Sequence, residues 1–368
     1  MNYTVFIIVF IFLIIIIVCM GFYNLKKLEF YSDKTEIPFI DVVITWVDGN
    51  QDKFIEEVNS LGKKYQLDRF YHNEELKYCL RSIELNMVFV RKIFIVVRAD
   101  HIPTFLKKNH YQLEFITHPT IIPSRFLPTY NSIVIENFIH KIPNLSEHFI
   151  YFNDDMIVLK ETQPSYFFDD NFRPIQSKDE NKIITLITNY NYWTKDEKLG
   201  ISPIKQENFD KNFALKELID HNNEIMDLLF NKETRYRSQH IPYACRKSYL
   251  NQLDEFLKTM KLKEKTMYEH SGSYKFRDLK SIARFSFFKK YWDIYMNDCL
   301  EKKYPLLSII MNDKVDKTKE IQNLNDTKQT FLVIHNEVHE LNDIALKNFK
   351  MMNQKLEKLF PYKSTFEL

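Results

Sequence analysis

Short apolar runs alternate along this chain with segments of helical periodicity, and this order is its strongest structural constraint. The runs are rich in β-branched and aromatic residues, as expected for buried strands. The first run ends at a tight turn, Asp48-Gly49. Helical spacing follows at residues 51–65 and 72–87, and further apolar runs occupy residues 91–97 and 111–118. A strand, helix, strand, strand order is typical of an α/β sheet with parallel members.

We therefore expect an α/β fold with a Rossmann-like, mostly parallel sheet flanked by helices. A helix is predicted over residues 131–141, and the C-terminal portion is predicted to be helical at 206–260, 277–300 and the amphipathic end, 340–360. The charged stretch 312–329 is interpreted as an exposed excursion. A last strand is predicted at Thr330 to His335.

The run FIYFNDDMIVL, Phe149 to Leu159, is interrupted by Asn153, Asp154 and Asp155. In parallel sheets ligands gather at the carboxyl ends of the strands. Adjacent buried aspartates need a cation nearby, and a divalent metal ion that prefers carboxylate and amide oxygens is one such partner. The alternative is a strand that ends here with its carboxylates in solvent.

Four other side chains are candidates for chemistry, each with a simpler interpretation. Asn131 can cap a helix that presents Glu136 and His140 at i and i+4, either for acid–base work or as a surface pair. His240 precedes Ile241-Pro242 in a loop, where it is either a general base or an ordinary surface residue. Arg277 is either a phosphate-binding group or a structural arginine.

The N-terminal segment from Val5 to Phe22 carries no charge and is about the length that crosses a hydrocarbon core. No basic residue precedes it and no small-residue cleavage site follows it, so we expect a single-pass transmembrane anchor at 5–22 and a stalk at 23–37. Lys26 and Lys27 favour a cytosolic catalytic body by the positive-inside rule. The formal net charge of +2 gives no indication of nucleic-acid binding.

Taken in order, these segments resemble the Stealth family of sugar-phosphate transferases. The first family block is similar to IDVVITWVDG, the second to residues 69–97 and then 118–156, and the third to SQHIPYACRKSYLNQL through YKFRDLKSIARFSFF. A fourth block, near FLVIHNE, is the poorest match. The resemblance covers residues 38–340, and we assign 38–368 to one transferase domain. Family analogy favours a Golgi or endomembrane lumen, in conflict with Lys26 and Lys27.

The resemblance implies transfer of a hexose-1-phosphate, such as GlcNAc-1-phosphate, from a nucleotide-diphosphate sugar to a hydroxyl of a glycan or glycoprotein acceptor. It places Glu136, Asp155, His240 and Arg277 at catalytic positions. We expect Asp154 and Asp155 to hold Mg²⁺ or Mn²⁺, His240 to act as base and Arg277 to neutralise the phosphoryl group. The expected substrate-binding residues are Asp48, Gly49, Arg81, Asn131 and Asn153.

This chain departs from the family pattern in the fourth block, which usually carries an Asn-Asp pair where His335-Asn336 stands here. The departure leaves two alternatives open. One is a metal-dependent glycosyltransferase, which would release a nucleoside diphosphate. The other is an inactive homologue that binds the sugar nucleotide.

Overall fold

The computed structural model describes residues 37–179, 182–184, 222, 225–226, 234–236, 238–262, 265–278, 281–326 and 328–368. The strands within these ranges are β1 Ile40–Thr45, β2 Val90–Val97, β3 Leu113–Thr117, β4 His148–Asn153, β5 Met156–Val158, β6 Gln176–Ser177, β7 Lys182–Ile184, β8 Thr234–Tyr236, β9 Tyr243–Arg246, β10 Lys261–Leu262, β11 Lys265–Thr266, β12 Glu301–Lys302, β13 Leu306–Asn312 and β14 Phe331–Glu337.

The α-helices within the same ranges are α1 Asp52–Ser60, α2 Leu67–Phe70, α3 Glu75–Asn86, α4 His118–Ile121, α5 Ser132–Glu136, α6 Lys247–Thr259, α7 Met267–Gly272, α8 Lys289–Asn297, α9 Thr318–Gln322 and α10 Asp343–Leu359. Short 3₁₀ segments lie at Ser124–Phe126, Ile139–Lys141, Pro164–Tyr166 and Asn323–Asp326. A π-helical turn, Arg284–Phe288, leads into α8.

The apolar runs assemble into a five-stranded sheet of order β3-β2-β1-β4-β9. Strands β1 to β4 are parallel to one another, and β9 pairs antiparallel with β4 at the edge. Successive residues of β1 alternate between two cores, since Val42 and Ile44 pack with residues of α3 while Val43 packs with residues of α5 and α6. The predicted α/β architecture, with a mostly parallel sheet and helices on it, is confirmed.

The run from Phe149 to Leu159 forms two strands rather than one. Strand β4 belongs to the five-stranded sheet, whereas β5 pairs antiparallel with β14 in a second sheet of order β13-β14-β5. The backbone changes sheets at Asp154 and Asp155. The polar interruption in the sequence therefore marks a corner between two sheets.

Several predicted elements differ in extent from the structure. The helix expected over 131–141 ends at Glu136, and a 3₁₀ turn follows. The charged stretch 312–329 contains α9, and Ile321 and Leu324 anchor it in the core. The C-terminal portion is only partly helical, because β9, β13 and β14 also lie there.

The predicted anchor at 5–22 and nearly all of the stalk at 23–37 lie outside the described residues, as does much of the helical prediction at 206–260. In the part of the chain that the structure describes, no helix combines the length and the apolar character needed to cross a membrane.

Candidate active site

The carboxyl ends of the parallel strands bring the predicted polar residues to one edge of the sheet. Thr45, the last residue of β1, is paired with Asn153, the last residue of β4. Asp48 and the acidic turn, Asn153-Asp154-Asp155, therefore emerge at the same edge. Because β9 runs antiparallel to β4, the segment that precedes β9 reaches this edge as well and carries His240.

Within the acidic turn, Asp155 faces His240. Nε2 of His240 lies 3.5 Å from Oδ2 of Asp155, and the side-chain amide nitrogen of Asn153 lies 3.4 Å from the same ring nitrogen. The other carboxylate oxygen of Asp155, Oδ1, is buried and has no hydrogen-bond partner among the described residues. One oxygen of this carboxylate is thus paired and the other is available to a ligand.

Negative charge is concentrated around the acidic turn. Burial raises the pKa of Asp154 well above its ordinary value, and the neighbouring carboxylates of Asp155 and Glu75 raise it further. Glu75, at the first position of α3, is buried, and burial raises its pKa to about 7 despite backbone N–H groups that favour the charged form. Sequence reasoning missed Glu75, because a glutamate in the first turn of a helix is usually a solvated group.

His240 is held in place by its chain neighbours. The buried side chain of Gln239 donates to the carbonyl of Tyr304 at 2.9 Å, and its amide oxygen accepts from the N–H of Tyr304 at 2.7 Å. Burial lowers the pKa of His240, but the carboxylates of Asp155 and Glu136 outweigh burial and raise the pKa above its usual value. His240 is therefore a positioned imidazole under the influence of two acids.

Helix α5 joins two further predicted residues. Asn131 caps its N-terminus by accepting from the N–H of Ile133, and its amide nitrogen donates to the carbonyls of Tyr274 and Phe276 at 3.2 Å each. These bonds hold the segment that carries Arg277, whose Nη2 donates to Oγ of Ser132 at 3.1 Å. Asn131 is buried by these contacts and acts as a positioning residue.

Glu136 ends α5 and links the site electrostatically. Its carboxylate raises the pKa of His240, and it also opposes the lowering of the Arg277 pKa that desolvation causes. The structure thus brings Glu136, Asp155, His240 and Arg277 together in one electrostatically coupled group. It also adds a second guanidinium, since desolvation and the charge of Arg277 lower the pKa of Arg69 to about 10.

Asp48 and Gly49 shape the turn after β1. The carboxylate of Asp48 accepts from Nε2 of Gln51 at 2.8 Å and lies 3.1 Å from Nε2 of His72. Any side chain at Gly49 would overlap the carbonyl oxygen of Phe70, so this position requires glycine for the close approach of α2. Both residues lie at the predicted edge, and their contact with substrate stays a prediction.

Arg81 is committed to a structural contact. Its guanidinium donates to both carboxylate oxygens of Glu367, at 2.8 and 2.9 Å, and to the carbonyl of Phe360 at 2.7 Å. Glu357 accepts a further bond at 3.0 Å. Because this buried network ties α3 to the C-terminal segment, we leave Arg81 out of the proposed substrate site.

His140 does not act as the partner of Glu136. The ring is buried, and its Nε2 lies 3.0 Å from Oδ2 of Asp254, which also pairs with Lys141 at 3.0 Å and with Arg284. The i, i+4 hypothesis was wrong because α5 ends at Glu136 and the 3₁₀ turn that follows rotates His140 into the core.

The departure from the family pattern, His335-Asn336, lies beside the acidic turn. A ligand atom of His335 lies within 4.8 Å of ligand atoms of both Asp155 and His240. Asn336 instead supports the chain, donating to the carbonyls of Leu67 and Tyr71 and accepting from the N–H of Val338. Sequence reasoning missed His335 as a site residue, although its place at the end of an apolar run was a signal.

The carboxylates at this edge fit the predicted Mg²⁺ or Mn²⁺. The charge of Asp155 raises the pKa of both Asp154 and Glu75, and Oδ1 of Asp155 is a buried oxygen with no partner in the described ranges. A hard divalent cation would relieve both conditions, since it takes oxygen ligands and offsets the repulsion.

Two family models match the part of the chain that carries β1, α3 and the acidic turn. Residues 38–66 match the model of Stealth protein CR1, conserved region 1, and residues 69–176 match that of Stealth protein CR2, conserved region 2. A capsular polysaccharide phosphotransferase of Haemophilus influenzae is 44% identical over 156 residues, which are 40% of this chain and 42% of that protein. An exopolysaccharide phosphotransferase of Lactiplantibacillus plantarum is 30% identical over 228 residues, 58% of this chain and 66% of that protein.

The chain thus matches less than half the length of the first of these relatives. Among solved structures, the galactosyltransferase LgtC aligns with a TM-score of 0.37 and 8% identity over 86% of this chain and 95% of that one. A likeness this weak indicates neither substrate nor mechanism. The two conserved regions occur in order around the β1 turn, α3 and the acidic turn, and the chain carries conserved regions 1 and 2 of the Stealth proteins.

Proposed function

We propose that this protein transfers a hexose-1-phosphate from a nucleotide-diphosphate sugar to a hydroxyl of an acceptor glycan. The observation that carries the proposal is the approach of His240 to within 3.5 Å of Asp155 at the carboxyl edge of a parallel sheet, with Glu136 electrostatically coupled to both His240 and Arg277. Relatives of this chain are named capsular or exopolysaccharide phosphotransferases. The assignment of residues 38–368 to one catalytic domain belongs to the same proposal.

In the proposed reaction, the acceptor oxygen forms a bond to the phosphorus that bears the sugar. The bond from that phosphorus to the oxygen of the nucleoside phosphate breaks, and a nucleoside monophosphate leaves. Negative charge develops on the phosphoryl oxygens and on the leaving phosphate. A guanidinium fits this charge through paired N–H donors, and Arg277, which donates to Oγ of Ser132, is the residue proposed to supply it.

His240 is the proposed base for the acceptor hydroxyl. Asp155 lies 3.5 Å from its Nε2 and stabilises the imidazolium that forms when the ring takes the proton. Glu136 adds a second negative charge that favours the protonated ring. The negative charges of Asp155 and Glu136 therefore make proton uptake by His240 more favourable during the reaction.

The donor diphosphate needs charge neutralisation, and Asp154 and Asp155 would hold the Mg²⁺ or Mn²⁺ that supplies it. Asp48, Gly49 and Asn153 line the same edge and are proposed to contact the donor, while Asn131 positions the Arg277 segment. Attachment to a membrane through residues 5–22 stays a prediction from the sequence.

The experiment is to identify the nucleotide released from a panel of nucleotide sugars, with Mg²⁺ or Mn²⁺ and a set of glycan acceptors. Acceptor-dependent release of a nucleoside monophosphate supports sugar-phosphate transfer. Release of a nucleoside diphosphate would instead identify a glycosyltransferase, and donor binding without release would identify an inactive homologue.

A pair of arginine variants tests the phosphoryl contact. Arg277→Lys keeps the charge but loses the paired donors, and we expect turnover to fall about 10²-fold. Arg125→Lys, on the exposed 3₁₀ turn at Ser124–Phe126, is the matched control and should turn over like the wild type. Equal rates for the two variants would contradict the role of Arg277.

A further inference from the structure

The backbone of β14 brings His335 to the acidic turn. Strand β14 pairs antiparallel with β5, and Val333 is opposite Met156, the residue that follows Asp155. The N–H of Ile334 donates to the carbonyl of Asp155 at 3.1 Å. The next residue along β14 is His335, so its position beside Asp155 is fixed by main-chain pairing.

Three side chains from separate parts of the chain meet at this point. The ligand atoms of Asp155, His240 and His335 all lie within 4.8 Å of one another. The two imidazole rings have centroids 5.3 Å apart and planes inclined by 32°. Ligand atoms around a tetrahedral zinc ion are about 3.4 Å apart. Side-chain rotations that move each ligand atom by roughly 1 Å would therefore bring the three atoms to zinc-binding distances.

The pairing of the remaining groups favours a bound cation. Oδ1 of Asp155 is a buried acceptor without a partner within the described ranges, and other carboxylates lie near it. The amide of Asn336, by contrast, already donates to the carbonyls of Leu67 and Tyr71 and accepts from the N–H of Val338. The ligand that the His335-Asn336 pair offers to the site is therefore the imidazole and not the amide.

We propose that Asp155, His240 and His335 form a binding site for a borderline divalent transition-metal ion, with Zn²⁺ as the representative ion. Two imidazoles and one carboxylate suit zinc, cobalt or nickel, whereas Mg²⁺ prefers an all-oxygen set. The site shares Asp155 with the predicted magnesium ligands but differs from them in its two nitrogen donors.

Occupancy of this site has a chemical consequence, which rests on the proposed function. An imidazole that binds a metal through one nitrogen and carries a proton on the other has no lone pair left to accept a proton. Zinc at the site and proton abstraction by His240 therefore exclude each other. Zinc binding itself does not depend on the proposed reaction.

The test is zinc titration of the untagged full chain, stripped with a chelator, in competition with a chromophoric zinc indicator. We expect one Zn²⁺ per chain, and we expect His335→Asn to lower the zinc affinity at least about 10-fold. Loss of a residue that only supports a metal ligand already costs about 10-fold in affinity, and loss of a ligand should cost no less. His339→Asn, on the exposed segment after β14, is the matched control and should bind zinc like the wild type.

Cobalt substitution gives a second readout. Co²⁺ in the wild type and in His339→Asn should show visible absorption of a nitrogen-ligated, low-coordinate ion, and His335→Asn should lose it. Thermal unfolding in excess chelator should be the same for all three proteins, which excludes misfolding as the cause.

Equal zinc affinity of His335→Asn and the wild type would overturn the inference. Nucleotide release is measured separately with Mg²⁺, so the two proposals fail independently. A chain that binds zinc through His335 but releases no nucleotide contradicts only the proposed function.

Discussion

Two groups of buried charge in this protein, the acidic turn and the Asp254 cluster of His140, Lys141, Asp254 and Arg284, differ in completeness. Oδ2 of Asp254 lies 3.0 Å from both His140 and Lys141, and Oδ1 pairs with Arg284. In the acidic turn, Oδ1 of Asp155 has no partner within the described ranges, and Asp154 lies among other carboxylates.

The pKa values respond in opposite directions. Burial acts to raise the pKa of Asp254, but Arg284 and His140 outweigh it and lower the pKa well below the usual value. Burial raises the pKa of Asp154, and its acidic neighbours raise it further. Both carboxylate oxygens of Asp254 are thus paired by cationic side chains of the protein. Oδ1 of Asp155 has no such partner within the described ranges, and an unpaired buried carboxylate oxygen is the feature expected of a ligand site rather than of a structural ion cluster.

The largest effect is expected at the unsatisfied group. Asp155→Ala removes a predicted metal ligand and the partner of His240, so turnover should fall at least about 10³-fold in the nucleotide-release assay. The variant should still fold, because no cationic side chain within the described ranges has the Asp155 carboxylate as its sole source of negative charge. Asp316→Ala, at a half-exposed aspartate paired with Lys347, is the control and should keep wild-type turnover. Wild-type turnover by Asp155→Ala would remove the acidic turn from the mechanism.

A substitution in the Asp254 cluster should lower the stability of the protein rather than its turnover. Asp254→Asn leaves Arg284 buried without its carboxylate, and we expect the free energy of unfolding to fall by about 3 kcal/mol in urea titration. Asp155→Asn is the comparison and should unfold at the same urea concentration as the wild type or a higher one. If both variants lost similar stability, the contrast between the two groups would be wrong.

Low pH should reduce the free energy of unfolding through the protonation of His140. The folded chain protonates this ring only near pH 4, because burial lowers its pKa from 6.5. The unfolded chain takes up the proton near the ordinary pKa, so stability is retained above about pH 6.5 and is lost as the pH falls toward 4.

Urea titrations at pH 7 and pH 5 measure this effect. The loss of unfolding free energy between the two should be about 2 kcal/mol smaller in His140→Asn than in the wild type. A residual loss is expected in the variant, because burial also lowers the pKa of His118 to about 4. An unchanged pH dependence would show that His140 is accessible to protons in the folded chain.

The sequence was sufficient to predict the parallel sheet and its edge. Strand runs with dense β-branched residues and a helix with one apolar face are local patterns, and β1 to β4 and α3 follow them closely. Asp155 and His240 were predicted from their positions in those patterns and from the family resemblance, and the structure brings them within 3.5 Å.

What could not be predicted depends on contacts between distant parts of the chain. From the sequence alone, Arg81 looks like an unpaired basic residue. Its partner, Glu367, lies in the C-terminal segment, 286 residues further along the chain. His140 lost its helical partner because α5 stops after five residues, and Asp254 offered burial instead. His335 joins the site only because β14 pairs with β5, a long-range register that local periodicity does not encode.

The smallest expected effect is at Asp154, and it tests the same comparison of the acidic turn with the Asp254 cluster. Asp154→Asn keeps the shape of the acidic turn but removes one charge from among Asp154, Asp155 and Glu75, so in chelator the unfolding free energy should rise by about 1 kcal/mol. With Mg²⁺ or Mn²⁺ added, the wild type should gain stability that the variant does not, because a cation bound to the folded state alone stabilises it. Differential scanning fluorimetry with and without chelator measures both. A variant less stable than the wild type in chelator would mean that the carboxylate of Asp154 is satisfied by the protein itself, and the acidic turn would then resemble the Asp254 cluster rather than a site that awaits its ligand.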